Sequence, residues 1–230
     1  MAIEAIITDV TSLGSPRVCI AALAGSRPIR LQVPTPTETW IDRVGGLMPG
    51  DLVSVDWTPS RVTRPPHVED GSWDVGMCAR IRRLSEDQLI DRLQTRAFDS
   101  VEEAYGPPLI RGKNGSCAFR PGSGSSSLAS VRASSVAVRV SFGKVRVAFA
   151  DTRGEWADVP LQDLAVKRHL RDCTACRMRA QQHLRAEFQG GLALLRVGLA
   201  REWPVGDYQP ACWMQVNHIF LIPSRRKHFV

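Results

Sequence analysis

The run SVAVRVSFGKVRVAFAD, residues 135–151, alternates apolar and polar residues on both sides of a Gly-Lys pair. Successive side chains on a strand point to opposite faces, so this spacing specifies a hairpin with one buried face and is incompatible with a helix. Val136, Val138, Val140 and Phe142 form one apolar row, and Val145, Val147 and Phe149 the other. A two-residue turn at Gly143-Lys144 pairs Phe142 with Val145 and Ser141 with Arg146. The opposite face then carries Arg139 and Arg146, with Lys144 at the tip.

The same period recurs along the chain. In RVCIAALAGSRPIRLQV it places Val18 and Ile20, then Ile29, Leu31 and Val33, on either side of an Ala24-Gly25-Ser26 turn. After Pro49-Gly50-Asp51 it places Val53, Val55 and Trp57 on one face. LALLRVGLAREW and CWMQVNHIFLIP supply two further strand-like runs near the C-terminus, ahead of the basic tail Arg225-Arg226-Lys227-His228. Between these sets the period turns helical. Ser85 to Gln88 has the capping-box spacing, followed by Leu89, Ile90 and Leu93, and a second box runs from Ser100 to Glu103. RGKNGSCAFRPGSGSSS has no period and reads as a linker or mobile loop. No Gly-Lys-Ser/Thr follows its glycines, which excludes a P-loop.

The expected fold is mainly β with inserted helices, an α+β arrangement of two small OB-like barrels. Residues 1–110 form an acidic N-terminal barrel with trailing helices, 111–130 the Gly/Ser-rich linker, and 131–230 a basic C-terminal barrel with an inserted helix. Residues 1–110 hold 11 Lys+Arg against 15 Asp+Glu, and residues 111–230 hold 19 against 8. Such segregation points to a polyanion facing the second half. Only Lys113, Lys144, Lys167 and Lys227 are lysines; the remaining cations are arginines, which grip phosphate bidentately and stack on bases.

Several phrases resemble the dual OB-containing domain family of bacterial proteins. They are Asp9-Val10-Thr11, Arg17-Val18-Cys19-Ile20-Ala21, Pro65-Pro66-His67-Val68-Glu69-Asp70, Val159-Pro160-Leu161-Gln162-Asp163-Leu164, Leu195-Arg196-Val197-Gly198-Leu199-Ala200-Arg201 and Cys212-Trp213-Met214-Gln215-Val216-Asn217. The resemblance spans nearly the whole chain. It implies two OB-like barrels and a role with nucleic acid.

Single-strand binding by such barrels joins a cationic groove to aromatic or arginine platforms. The second half offers Arg139, Lys144, Arg146, Arg153, Arg168, Arg196 and Arg201, with Trp156, Trp203 and Trp213 as platforms and Gln215 and Asn217 as polar contacts beside Trp213. In CWMQVN, Trp213 alternates with Gln215 and Asn217, which places it on the polar face. The expectation is a non-catalytic protein that holds single-stranded DNA or RNA through its basic half, with the acidic half free to dock a protein partner. The alternatives are an interaction subunit of a larger assembly, whose arginines meet an acidic protein, and an enzyme that processes nucleic acid. MAIEAIITDV carries Glu4 and Asp9 and no basic region, and no apolar run approaches the roughly 18 residues of a membrane span. A cytoplasmic chain with reduced thiols and no membrane partner is expected.

RHLRDCTACRMRAQQH, residues 168–183, holds a C-x-x-C between two histidines. Cys173, Cys176, Ala180 and Leu184 recur at helical spacing, so the first reading is a helix whose cysteines are buried as small apolar groups. In a continuous helix His169 and His183 would stand about 21 Å apart, too far for one zinc. Zinc at Cys173 and Cys176 therefore requires a helix break, or distant ligands such as Cys212 or His218; no cofactor is expected. His67-Val68-Glu69 with Cys173 and Cys176 has the residue types of a zinc deaminase, yet Asp172 stands where that chemistry places proline.

Overall fold

A computed structural model describes residues 2–61, 63–106, 109–141, 144–188, 191–203 and 210–222. The first sheet is built from β1 (Ala2–Gly14), β2 (Arg17–Ala24), β3 (Arg27–Val33), β4 (Asp51–Pro59), β5 (Asp70–Trp73) and β6 (Ala79–Arg83), with α1 (Glu38–Arg43) between β3 and β4. Its order is β1-β2-β3-β5-β4, and β4 pairs back onto β1, so five strands close a barrel. The β3–β5 pairing is parallel and the others are antiparallel. Alternation fills this barrel as expected: Val18, Ile20, Ile29, Leu31, Val53 and Val55 are fully buried. Val33, at the end of its strand, is instead 55% exposed.

After β6 come α2 (Glu86–Gln94) and α3 (Val101–Tyr105). Ser85 and Gln88 form the reciprocal capping box, and Ser100 caps α3 through the Glu103 N–H. The apolar face of α2 (Leu89, Ile90, Leu93) packs on Ile6 and Leu23 of the first sheet and on Leu194 and Phe220 of the second. Each such side chain contributes roughly 1.5–3 kcal/mol by burial, so α2 binds the two barrels together.

The second sheet contains β7 (Leu109–Arg111), β8 (Cys117–Phe119), β9 (Leu128–Ser141), β10 (Lys144–Asp151), β11 (Trp156–Pro160), β12 (Ala193–Leu199) and β13 (Cys212–Leu221). Its order is β11-β10-β9-β12-β13-β8-β7. Beyond β11, a parallel bridge from Leu161 to Val216 draws the outer strand toward β13, with Gln162 N–H donating to the Val216 carbonyl at 2.8 Å. The strand order of the first barrel is thus repeated, in a more open form. Helices again follow the third strand: α4 (Leu164–Asp172), α5 (Thr174–Met178) and α6 (Ala180–Phe188). This topology, with an insertion at that position, is that of two OB-like barrels.

Three local expectations are corrected. In the hairpin, Ser141 pairs with Lys144, Val140 with Val145 and Arg139 with Arg146. The register therefore lies one residue earlier than expected, and Phe142 and Gly143 lie outside the described residues. The segment read as a linker contributes β8, whose Cys117, Ala118 and Phe119 are buried through pairing with β13, and the start of β9. The C-x-x-C helix is not continuous. It breaks at Cys173 and again at Arg179, leaving both cysteines half-buried while Ala180 and Leu184 reach the core. The tail from Arg225 lies outside the described residues.

Candidate nucleic-acid interface

The acidic and basic halves turn out to be partners of one another. Six arginines of the second half pair with carboxylates of the first: Arg132 with Asp99, Arg153 with Glu103, Arg168 with Glu38 and Asp42, Arg171 with Glu38, Arg196 with Asp9, and Arg201 with Asp70. Much of the charge segregation is therefore satisfied inside the molecule. The residues expected to contact a nucleic acid separate accordingly.

Arg196 and Asn217 are buried at the seam between the barrels, both bonded to Asp9. Gln215 donates to Asn217 at 3.0 Å. This interior position leaves Arg196 and Asn217 no path to a phosphate, because the bulge near Val197 and Val216 turns Asn217 inward. Arg168 is spread across Glu38 and Asp42 of α1. Arg201 bonds Asp70, and the neighbouring Ala200 carbonyl meets His67 at 3.2 Å, so the loop after β12 is latched onto the first barrel. Arg153 lies on the β10–β11 turn against Glu103.

His67, Glu69 and Asp70 are not solvated loop residues. Glu69 accepts from Ser127 N–H at 2.6 Å, Ser127 Oγ at 2.9 Å and Leu128 N–H at 3.1 Å, and it is 3% exposed. Arg30, also buried, reaches His67, Asp70 and Ser127. This polar seam takes the HVE segment away from Cys173 and Cys176.

Outward-facing cations remain on the open sheet and beside it. Arg139 and Arg146 stand opposite each other on β9 and β10, and both grip Asp158 of β11. Trp156, 47% exposed, starts the same strand and lies against the Gly115 backbone, where a Cβ would fall 2.0 Å from its ring. About 13 Å of strand separates its pairing position from that of Arg146. Trp213 is half-buried, its indole N–H donating to the Trp203 carbonyl at 3.3 Å; Trp203 itself is 68% exposed.

At its Lys144 end this sheet opens into a cleft of about 750 Å³ between the barrels. Lys144, Arg146, Lys167, Arg171 and Arg177 line it, with Glu38 as the only carboxylate among the lining residues. Among the described residues, no carboxylate pairs with Lys144, Lys167 or Arg177. Burial holds the Lys167 ammonium below the usual lysine range. A partly desolvated cation among further positive charges favours an anion in that space. Lys167, Arg171 and Arg177 were missed in the sequence. The signal was present: Lys167 and Arg171 are four residues apart, hence on one face of α4.

No family model and no curated relative matches the chain. Among solved structures, it is similar to one on the molecular basis for abrogation of activation of pro-inflammatory cytokines, with 8% identity, TM-score 0.38, and coverage of 96% of this chain and 91% of that one. A murine DNA-binding protein bound with double-stranded DNA aligns at 6% identity and TM-score 0.34, covering 94% and 95%. The tetrameric p202 HIN2 aligns at 9% identity and TM-score 0.31, covering 94% and 92%.

Proposed function

We propose that this chain is a non-catalytic, cytoplasmic nucleic-acid-binding protein. It holds a single strand in the cleft between its barrels and along the adjoining outer face of β9–β11. The observation that carries the reading is the gathering of Lys144, Arg146, Lys167, Arg171 and Arg177 around one cavity with a single carboxylate. Phosphates follow the cleft, and Trp156 supplies a stacking surface farther along the outer face, at the other end of β11. Single strands suit the open faces of OB-like barrels, which admit unstacked bases. Unpaired cysteines throughout are in keeping with a reducing compartment.

The test is fluorescence anisotropy with labelled single-stranded and duplex oligonucleotides across a salt series. Lys144→Ala with Arg177→Ala should weaken single-strand binding and reduce the salt slope by up to about two, with melting unchanged. A wild-type chain indifferent to single strands, or a double variant with full affinity, overturns the assignment. Capture of an acidic protein through the same cations would instead support the interaction-subunit reading.

A further inference from the structure

The break between α4 and α5 has chemical content of its own. Cys173 leaves the helix with extended backbone, φ −102° and ψ 101°, and becomes the cap of α5, its sulfur accepting the Cys176 N–H at 3.2 Å. His169, one turn back on α4, falls on the same side as Cys173, since positions four residues apart share a helix face. One ring nitrogen of His169 and the two sulfurs all lie within 4.8 Å of one another, and all three residues are half-buried. A continuous helix would have carried Cys176 a further turn away from His169, so the break itself assembles the cluster.

We infer that His169, Cys173 and Cys176 bind one zinc ion, with the fourth coordination position open toward the cavity at the barrel seam. Zinc takes thiolate at about 2.3 Å and imidazole at about 2.0–2.1 Å in tetrahedral geometry, which sets ligand atoms roughly 3.5–3.8 Å apart. The three ligand atoms, all within 4.8 Å of one another, lie near that span. The two sulfurs are 2.6 Å apart, and the ion would part them by about 1 Å through side-chain rotation. Two thiolates and an imidazole form a ligand set that suits zinc. His169 and Cys173 also line a cavity of about 570 Å³, shared with Val10, Ile41, Asp163 and His218. The open position therefore has a space to face.

The ion would fix a hinge that matters to both barrels. On one side of it α4 sends Arg168 and Arg171 to Glu38, and on the other α5 presents Arg177 to the basic cleft.

The test uses the full chain, reduced and freed of metal, titrated with zinc against a chromophoric chelator and separately with cobalt. One ion per chain is expected, with a thiolate-to-cobalt charge-transfer band and the strong d–d absorption of a tetrahedral site. His169→Gln, and separately Cys173→Ser with Cys176→Ser, should each weaken zinc by about tenfold or more with circular dichroism unchanged. Should the serine variant fail to fold, Cys176→His retains a ligand and should retain zinc. The inference is overturned if the folded, reduced chain binds no zinc above background. It is equally overturned if binding ignores both ligand variants, or if Cys173 and Cys176 close to a disulfide while His169→Gln changes nothing.

Discussion

Arg196 and Asp9 form an ion pair across the seam of the two barrels, Nε to Oδ2 at 2.9 Å, with side chains 6% and 1% exposed. The further hydrogen bonds of the pair go to polar side chains. Asp9 accepts from Thr8 Oγ at 2.9 Å and Asn217 Nδ2 at 3.0 Å, and Arg196 donates to Ser130 Oγ at 2.9 Å and Thr8 Oγ at 3.2 Å. A buried pair with its remaining positions filled is stable as a unit and costly to halve.

Removing one partner should therefore cost far more than removing both. Asp9→Ala or Arg196→Ala is expected to lower stability by about 3–5 kcal/mol, since each leaves a buried charge unpaired. Asp9→Leu with Arg196→Met should recover most of that loss. Urea unfolding of the four proteins checks this; single losses below about 1 kcal/mol would place the pair energetically at the surface.

His67 makes the same seam sensitive to acid. Its Nδ1 lies 3.0 Å from an Arg30 N–H and its Nε2 3.2 Å from the Ala200 carbonyl, an arrangement that fits a neutral ring protonated on Nε2. Burial, then the charges of Arg30 and Arg201, push its pKa down to about 4. Between the ordinary value near 6.5 and that figure, the unfolded chain takes up a proton that the folded chain refuses. Stability should fall across this window by up to about 3 kcal/mol, with no contribution from His67 above it and no further loss below it. His67→Gln should flatten that part of the profile, so the stability gap between wild type and variant narrows on acidification. Parallel profiles in urea titrations would assign the acid sensitivity elsewhere.

The contrast between these residues shows what a sequence discloses. Val18, Ile20, Val53 and Val55 were legible because alternation is local, and a strand with one buried face must show it. Cys117, Ala118 and Phe119 were not, because Ala118 and Phe119 pair with Trp213 and Cys212 far along the chain, and the glycine-rich setting suppresses any period. Charge was legible only in part, for the same reason. Part of the arginine excess in the second half is answered from within, where Asp9, Glu38, Asp42 and Asp70 pair with Arg196, Arg168, Arg171 and Arg201. In the cleft, Lys144 and Arg146 were read from the hairpin, whereas Lys167 and Arg177 reach it only through the way α4 and α5 are placed at its rim, α4 against β1.

Asp158 offers a test in which stability and binding move in opposite directions. Its carboxylate, 3% exposed, takes Arg146 Nε at 2.8 Å and is gripped from the other side by Arg139. Arg139 and Arg146 are thus half-neutralised on the face proposed to run beside the strand. Asp158→Asn keeps the shape and removes the charge, leaving two guanidinium groups facing each other on adjacent strands. Both arginines are partly exposed, so the stability loss should be about 1–2 kcal/mol rather than that of a fully buried pair. If the face contacts phosphate, the same change should tighten single-strand binding and steepen the salt slope by about one. Anisotropy across a salt series reads both. An unchanged slope and affinity would take Arg139 and Arg146 out of the interface and confine contact to Lys144, Lys167, Arg171 and Arg177 in the cleft.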